Sequence, residues 1–229
     1  MDVKERAARR AVEYVQSGMI LGLGSGSTAT FAIRALGERR EKEGLKIRGV
    51  ATSQRSREVA EELGIPLIDL TARDAIDLTI DGADEVDPAL NLIKGGGGAL
   101  LREKLVASAS RELVIICDEG KIKPHLGAFP LPVAVVPFGW ETTRRRLESL
   151  CETTTLRQAQ DAPATPFLTD DGFYVLDMHL GLISDPTSLE EAIKRKVGVV
   201  EVGLFVGLAS RVVVGYADGH TEILTLPRP

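Results

Sequence analysis

The chain has 229 residues, of which 44% are hydrophobic and 27% charged, and its formal net charge at pH 7 is -5. Such a length and composition allow a full hydrophobic core, in one large domain or in a large and a small one. The acidic balance excludes a broad nucleic-acid-binding surface, which would need Lys and Arg clustered in excess. Any anionic ligand must therefore be bound by a local site.

The N-terminal stretch MDVKERAARRAVEYVQSG predicts an amphipathic charged helix. It lacks the apolar segment of an export signal, so we expect no export. The apolar runs farther along have the length of core strands, so we expect no membrane-spanning segment. Cys117 lies within the apolar run LVIIC and Cys151 at the end of a predicted helix, which implies no disulfide framework. These features predict a protein of the reducing cytoplasm.

Apolar runs typical of strands alternate with helical patterns over the first half of the chain. The predicted strands are MILGL, KIRGVA, IPLID, DAIDLTI and ELVIICD, and the predicted helices are TATFAIRALGERREKEG, SREVAEELG and ALLREKLVASAS. This alternation predicts βαβ units, that is, an α/β fold with a parallel sheet covered on both faces. Because ligands bind beyond the carboxyl ends of such strands, the loops GSGST, DGADEVD and DEGK are expected to meet at one edge.

The proline-rich stretch KIKPHLGAFPLPVAVVPFGW interrupts the alternation and indicates a domain boundary. A helix at about 141–150, a hairpin at Asp170–Gly172, the helix SLEEAIKRK and the strand VVEVGLFVG then predict a small α+β domain. The tail ASRVVVGYADGHTEILTL is too short to stand alone and is expected to return to the first sheet. We predict a first domain of residues 1–128 and 207–229 and a second domain of residues 129–206.

The glycine-rich loop GLGSGSTATF follows the first predicted strand. Ser25, Ser27 and Thr28 place hydroxyls beside a helix N-terminus, as in sites for phosphate or other anions. The string GSGSTA also satisfies the dinucleotide pattern G-x-G-x-x-A, but an NAD site needs an acidic residue about 20 positions on, and residues 50–53 read VATS. No GK[ST] follows, which excludes a P-loop. Because Ser and Thr are also ordinary N-caps, a turn without a ligand remains an alternative.

The acidic stretch DGADEVDP follows the predicted strand DAIDLTI. An EF-hand counted from Asp81 would have Ala, Val and Leu at its third, sixth and twelfth positions, so the calcium motif fails. The His and Cys residues are scattered without the spacing of zinc ligands. Acid-base chemistry or a solvated acidic turn remains. The turn interpretation suits Glu85 and Asp87; it suits Asp81 less, because Asp81 follows the apolar run LTI directly.

The segment KGGGGALLREK combines a lysine, four glycines and the start of a helix. Glycines that precede a helix expose amide N–H groups that can stabilise an oxyanion, and Lys94 adds a positive charge. Glu103 lies one turn into the helix. Taken alone, Glu103 is better explained as one partner of an ion pair on the helix surface.

Taken together, these segments resemble type A ribose-5-phosphate isomerase. The resemblance is carried in chain order by GLGSGSTA, TIDGADEVD, LIKGGGGALLREK, DEGK before FPLPVAVVP, and GVVEVGLF, and it covers nearly the whole chain. It implies an aldose-ketose isomerase that interconverts D-ribose 5-phosphate and D-ribulose 5-phosphate in the pentose phosphate pathway without a cofactor or metal. It also implies a Rossmann-like α/β domain with a smaller α+β, ferredoxin-like lobe, and a homodimer or homotetramer.

The resemblance also assigns catalytic roles. Glu103 matches the general base that moves the proton between C2 and C1 through a cis-enediolate. Asp81 matches the residue that manages proton transfers at the oxygens and ring opening, and Lys94 the lysine that stabilises the enediolate charge. Asp84 matches a group that holds substrate hydroxyls.

The remaining matches are substrate and phosphate contacts. Lys4 lies where some members have a further phosphate contact, and Ser25 departs from the Thr of the more usual TGST while keeping a hydroxyl. The other matched residues are Gly26, Ser27, Thr28, Gly82, Ala83, Gly95, Gly96, Gly97 and Lys121.

Two other classes of protein remain open. A different enzyme on the same fold, such as a sugar-phosphate deaminase or a CoA transferase, would need another acid-base set than the ordered pair DGAD and GGGGALLREK. A sugar-phosphate sensor without catalysis would need only the GSGST anion site. The partner expected for the isomerase is a small-molecule sugar phosphate, with no nucleic acid and no membrane involved.

Overall fold

The computed structural model describes residues 2–71 and 75–226, and the chain forms two compact units. The first unit comprises Met1–Ala83, Arg102–Ile122 and Gly207–Pro229, and the second comprises Asp84–Leu101 and Lys123–Val206. The predicted strand DAIDLTI begins at Asp74, which lies outside the described residues. None of the described helices is both long and apolar enough to span a membrane.

The first unit is built on a six-stranded sheet in the order β15-β14-β6-β3-β1-β2. All neighbours in it are parallel except β14 and β15, which form an antiparallel pair. The strands are β1 (Ile20–Leu23), β2 (Arg48–Ala51), β3 (Ile76–Gly82), β6 (Ser110–Asp118), β14 (Arg211–Gly215) and β15 (Thr221–Leu224). The predicted return of the C-terminal tail to this sheet is confirmed, whereas the predicted strand IPLID forms only the bridge Gly49–Leu67.

Helices cover both faces of this sheet. On one face Leu21 and Leu23 pack in the core cluster that the apolar sides of α1, α2 and α3 complete. On the other face Ile20 packs against Val106 of α4. The helices are α1 (Val3–Val12), α2 (Gly26–Glu43), α3 (Gln54–Glu62) and α4 (Leu100–Ser108), of which α4 joins the first unit from residue 102. Consecutive residues of β1 thus face opposite layers, as the pleat of a strand requires.

The second unit contains a four-stranded antiparallel sheet in the order β12-β7-β11-β8. Its strands are β7 (Leu131–Val135), β8 (Thr153–Leu156), β11 (Tyr174–His179) and β12 (Val199–Val202), and its helices are α5 (Trp140–Leu147) and α6 (Pro186–Lys194). Leu147 of α5 and Ile193 of α6 are fully buried in the core of this unit. The predicted fold class, a parallel-sheet α/β domain with a smaller α+β lobe, is confirmed.

Two small sheets complete the second unit. One pairs β9 (Gln158–Ala159) with β10 (Ala162–Pro166). The other has the order β13-β5-β4, formed by β4 (Glu85–Val86), β5 (Leu92–Ile93) and β13 (Leu204–Phe205). The predicted single strand VVEVGLFVG is therefore two strands interrupted at Gly203, where a Cβ would lie 2.3 Å from the carbonyl oxygen of Lys94.

The boundaries of the two units differ from the predicted ones in two places. The chain enters the second unit at Lys123 instead of residue 129, and residues 84–101 belong to the second unit. The reason is pairing within that unit: β5 pairs with β13, and the carboxylate of Glu85 accepts hydrogen bonds from the N–H groups of Gly127 and Phe129, both at 2.7 Å. The chain returns to the first unit at Gly207.

Candidate active site

Three loops of the first unit lie at the carboxyl ends of neighbouring strands. β6, β3 and β1 are adjacent in the sheet. Gly24–Thr28 follows β1, and the 3₁₀ turn Glu119–Lys121 follows β6. Asp81 and Gly82 are the last residues of β3, and Ala83 comes directly after it. The sequence predicted that the glycine-rich, DGA and DEGK segments meet at one edge, and the structure confirms this for the residues of the first unit.

Asp81 is held by the glycine-rich loop. The side chain is 1% exposed, and its Oδ1 accepts the N–H groups of Ser25 at 3.0 Å and Gly82 at 2.7 Å. Gly24 makes this approach possible, because a Cβ at that position would lie 2.3 Å from Asp81 Oδ1. The carboxylate is therefore fixed in place by two backbone donors.

The N-terminus of α2 presents the predicted hydroxyls. Gly26, with φ +81°, turns the chain into the helix, and Ser27 and Thr28 lie in its first turn. Ser25 is the N-cap, but its side chain makes no capping hydrogen bond; its Oγ lies 2.6 Å from Thr52 Oγ1 instead. First-turn N–H groups and the helix dipole favour an anion at this end.

Glu103 lies in the first turn of α4 and is 5% exposed. It is one helical turn from Val106, which faces β1, so the two side chains share the face of α4 that is turned to the sheet. Because α4 leads into β6 after a single residue, it runs antiparallel to the strands, and its first turn lies toward their carboxyl ends. A surface ion pair, the alternative for Glu103, does not fit this burial.

Lys121 and Lys4 lie at the same edge of the first unit. Lys121 ends the turn after β6, a turn that Asp118 caps by accepting the N–H of Gly120 at 3.1 Å. Lys4 lies in the first turn of α1, next to Val3, whose carbonyl oxygen is 2.4 Å from the Cβ position of Gly215. Gly215 pairs with Asp118 across the sheet, which places the start of α1 beside the end of β6.

In the second unit, Asp84 holds the glycine turn. Its Oδ2 accepts the N–H of Gly96 at 2.8 Å, and its own N–H donates to the carbonyl of Ile93 at 2.8 Å. The expectation of a solvated acidic turn is wrong for the next residue, Glu85, which is 1% exposed and bound to two backbone N–H groups. Asp87 does form a turn, in which it accepts the backbone and side-chain N–H groups of Asn91.

Lys94 is buried in the second unit. The residue is 3% exposed, and its Nζ lies 5.4 Å from the ring centroid of Phe205. Its backbone N–H donates to the carbonyl of Gly203 at 2.8 Å, which fixes the start of the glycine turn to the residue between β12 and β13. Lysine is rarely buried to this extent unless a partner or a function requires it.

The glycine turn itself needs glycine for two physical reasons. Gly95 has φ +99° and Gly98 φ +85°, values that other residues rarely adopt. A Cβ on Gly98 would also lie 2.4 Å from the ring of Phe167. Gly96 and Gly97 are exposed, and they line a cavity of about 590 Å³ with Arg157 and other residues of the second unit.

The described residues contain no cluster of three or more His, Cys, Asp or Glu side chains with the geometry of metal ligands. The two cysteines are free thiols. Burial, with a smaller contribution from the charge of Asp118, raises the pKa of Cys117 to about 12, so this thiol stays protonated at neutral pH.

Comparison with known proteins identifies the family. A model of the family described as Ribose 5-phosphate isomerase A (phosphoriboisomerase A) matches residues 48–219. The chain belongs to the ribose 5-phosphate isomerase A family. A ribose-5-phosphate isomerase A of Cereibacter sphaeroides is 50% identical over 230 residues, which cover 97% of this chain and 91% of that protein. The ribose 5-phosphate isomerase A family consists of aldose-ketose isomerases, and the chain is an enzyme of this class.

Solved structures of the ribose 5-phosphate isomerase A family share the whole fold. The structure from Methanocaldococcus jannaschii has a TM-score of 0.92 at 37% identity and covers 98% of this chain and 99% of its own. A D-ribose-5-phosphate isomerase in complex with phospho-erythronic acid has a TM-score of 0.94 at 35% identity, with coverage of 99% and 100%.

The sequence analysis missed two residues, Thr52 and Arg157, that hold the glycine-rich loop after β1 and the glycine turn. Thr52 is fully buried, and its hydroxyl links Ser25 to the carbonyl of Leu23. Its position at the end of β2, beside β1, was the available signal. Arg157 binds the carbonyl oxygens of the glycine turn, and nothing in the local sequence around it indicates that role.

Proposed function

We propose that the chain interconverts D-ribose 5-phosphate and D-ribulose 5-phosphate. A base removes the proton from C2 of the open-chain aldose and leaves an enediolate; the same base returns the proton to C1, while a proton leaves O2 and one is added at O1. The reaction needs a base that reaches both carbons, a positive or dipolar group for the developing oxygen charge, and a site that excludes water.

In this proposal Glu103 is the general base, and Lys94 with the amides of the glycine turn stabilises the enediolate oxygen. Asp81 transfers protons at the oxygens and assists ring opening, and Asp84 binds substrate hydroxyls. The substrate and phosphate are contacted by Ser25, Gly26, Ser27, Thr28, Gly82, Ala83, Gly95, Gly96, Gly97, Lys121 and Lys4.

The burial of three ionisable residues carries this assignment. Asp81, Lys94 and Glu103 are 1%, 3% and 5% exposed, respectively. Burying charged groups costs free energy, and a fold retains them mainly where they are paired or functional. In this chain they fall on the positions that the family resemblance assigns to proton transfer and charge stabilisation.

The comparisons support the substrate class. The relatives named above are ribose-5-phosphate isomerases, and the protein bound to phospho-erythronic acid holds a phosphorylated sugar acid on the same fold. We further propose that the enzyme works in the non-oxidative pentose phosphate pathway in the cytoplasm, without a cofactor, as a homodimer or homotetramer.

The test is an isomerase assay on the purified chain. Ribulose 5-phosphate formed from ribose 5-phosphate at a rate proportional to protein concentration would support the proposal. Binding of ribose 5-phosphate without turnover would indicate a sensor, and turnover only of amino-sugar phosphates or CoA esters would indicate another enzyme on the same fold. Size-exclusion chromatography with light scattering would test the oligomer.

A further inference from the structure

Arg157 ties the glycine turn to β11. Its Nε and Nη2 donate to the two carboxylate oxygens of Asp177, and its Nη1 donates to the carbonyl oxygens of Gly95 at 2.9 Å and Gly96 at 3.0 Å. Both charged side chains are 15% exposed. The guanidinium fork thus binds a carboxylate on one side and two consecutive carbonyls on the other.

These contacts set the direction of two amides. A trans peptide is planar, and its N–H points opposite to its C=O. The carbonyl of Gly95 shares a peptide plane with the N–H of Gly96, and the carbonyl of Gly96 shares one with the N–H of Gly97. By holding both carbonyls, Arg157 turns both N–H groups away from itself. The Gly96 N–H accordingly donates to Asp84 Oδ2 at 2.8 Å.

A run of glycines cannot set this direction by itself, because glycine populates positive and negative φ about equally. The turn is closed by one backbone hydrogen bond, from the Gly98 N–H to the Gly95 carbonyl at 2.9 Å. Phe167 packs on Gly98, and its ring centroid lies 5.9 Å from the Arg157 guanidinium carbon. Arg157 therefore contributes both polar and packing contacts to this turn.

We propose that Arg157, held in place by Asp177, is a positioning residue that aims the Gly97 amide for stabilising the enediolate oxygen and keeps the Gly96 amide on Asp84. This inference rests on the proposed function, in which the Gly97 amide contacts the substrate. Donors that are directed before the reaction need no reorganisation when charge develops on the oxygen, which is why a misdirected peptide lowers the rate more than it lowers ground-state binding.

Arg157→Met is the direct test, with phospho-erythronate as the probe, because its planar carboxylate resembles the enediolate. We expect kcat for ribose 5-phosphate to fall roughly 10- to 100-fold, and Ki for phospho-erythronate to rise by a similar factor, while KM changes much less. Arg157→Lys should be intermediate, because an ammonium keeps the charge and loses the planar fork.

A second variant separates positioning from stability. Arg157→Met leaves Asp177 unpaired, whereas Arg157→Met with Asp177→Leu removes both charges, which often restores stability. If Arg157 positions the turn, the double variant should keep the low kcat and raised Ki even where its urea midpoint recovers. Activity that recovers together with stability would overturn the inference, as would kcat and Ki within about twofold of wild type in Arg157→Met.

The control is Arg144→Met, which removes an ion pair at the surface between Arg144 of α5 and Glu148, the residue that follows this helix. This variant should keep wild-type kinetics. KM and Ki do not depend on the fraction of folded protein, so their ratio can be measured even in a destabilised variant. If the wild-type chain itself fails to isomerise ribose 5-phosphate, the proposed function fails. If the wild-type chain is active and Arg157→Met has the same kcat and Ki, the inference alone fails.

Discussion

At the scale of single residues, Glu103 is the decisive test of the chemistry. Glu103→Gln should preserve the fold and substrate binding, because the amide has nearly the same shape. It should lower kcat by about 10³-fold or more and stop exchange of the C2 proton with deuterated water, because an amide accepts no proton at neutral pH. Proton NMR of ribose 5-phosphate in D₂O measures both.

The matched control for that substitution is Glu58→Gln on α3, whose carboxylate lies 3.5 Å from Arg55 at the surface. It should leave kcat and the exchange rate unchanged. Near-normal exchange in Glu103→Gln would assign the base to another residue.

Glu85 gives a prediction about stability. Both of its carboxylate oxygens accept backbone N–H groups, from Phe129 and Gly127. In Glu85→Gln one acceptor becomes an NH₂ group that faces an N–H, so we expect the free energy of unfolding to fall by about 2–3 kcal/mol. Urea unfolding followed by circular dichroism measures this change.

The exposed Glu148 on the same unit, in a pair with Arg144, serves as the comparison. Glu148→Gln should change the free energy of unfolding by less than about 0.5 kcal/mol, as surface pairs usually do. Equal stabilities of the two variants would show that the buried bonds of Glu85 contribute no more than a surface pair.

At the scale of the element, the N-terminus of α2 predicts where the phosphate binds. Replacing Ser27 and Thr28 together by Ala removes two hydroxyls from the first helical turn and should raise KM for ribose 5-phosphate roughly 10- to 100-fold, the value of hydrogen bonds to a charged group. Initial-rate kinetics measures KM, and kcat should also fall if the phosphate positions the sugar.

Thr30→Ala provides the control, because the Thr30 hydroxyl already bonds to the Gly26 carbonyl at 3.0 Å within the same helix. KM should not change in this variant. An unchanged KM in the double variant as well would move the phosphate toward Lys4 or Lys121.

The elements of the first unit were largely predictable, because their strands and helices have clear periodicity and alternate in order. The strand IPLID was not: its apolar residues are there, but only Gly49–Leu67 forms a bridge. The assignment of residues 84–101 also failed, because Leu92–Ile93 pairs with Leu204–Phe205, far away along the chain. No local pattern records such a pairing.

The residues of the candidate site also fall into two groups, those that the sequence indicated and those that it did not. Ser27, Asp81 and Glu103 stand in motifs whose spacing follows a strand or opens a helix, so the sequence indicated them. Arg157 and Thr52 are single polar residues whose partners come from other segments, and only the folded chain brings those partners together. What a side chain bonds to across the fold cannot be read from its neighbours in sequence.

At the scale of the whole molecule, we predict activity without metal. A divalent ion could polarise the substrate carbonyl, and the acidic DGADEVD segment makes that alternative worth testing. Lys94 and the glycine amides can instead stabilise the enediolate charge, so full activity should remain after exhaustive dialysis against EDTA. The measurement is ribulose 5-phosphate formation, with elemental analysis to confirm that no stoichiometric metal is left.

Activity that disappears with EDTA and returns only with added magnesium or manganese would contradict this prediction. It would make Asp81 and Asp84 candidate metal ligands instead of groups for proton transfer and hydroxyl binding.

Both units are completed by the last part of the chain: β13 pairs with β5, and β14 lies between β6 and β15. A protein synthesised from its N-terminus therefore carries β6, with its buried run Leu113–Cys117, as an open edge until Arg211–Gly215 has left the ribosome. Neither unit can therefore complete its sheets before this last part of the chain has been synthesised. The nascent chain presents this apolar strand to other chains from the synthesis of Asp118 until that of Gly215, and its safety from aggregation depends on how quickly the final segment is released.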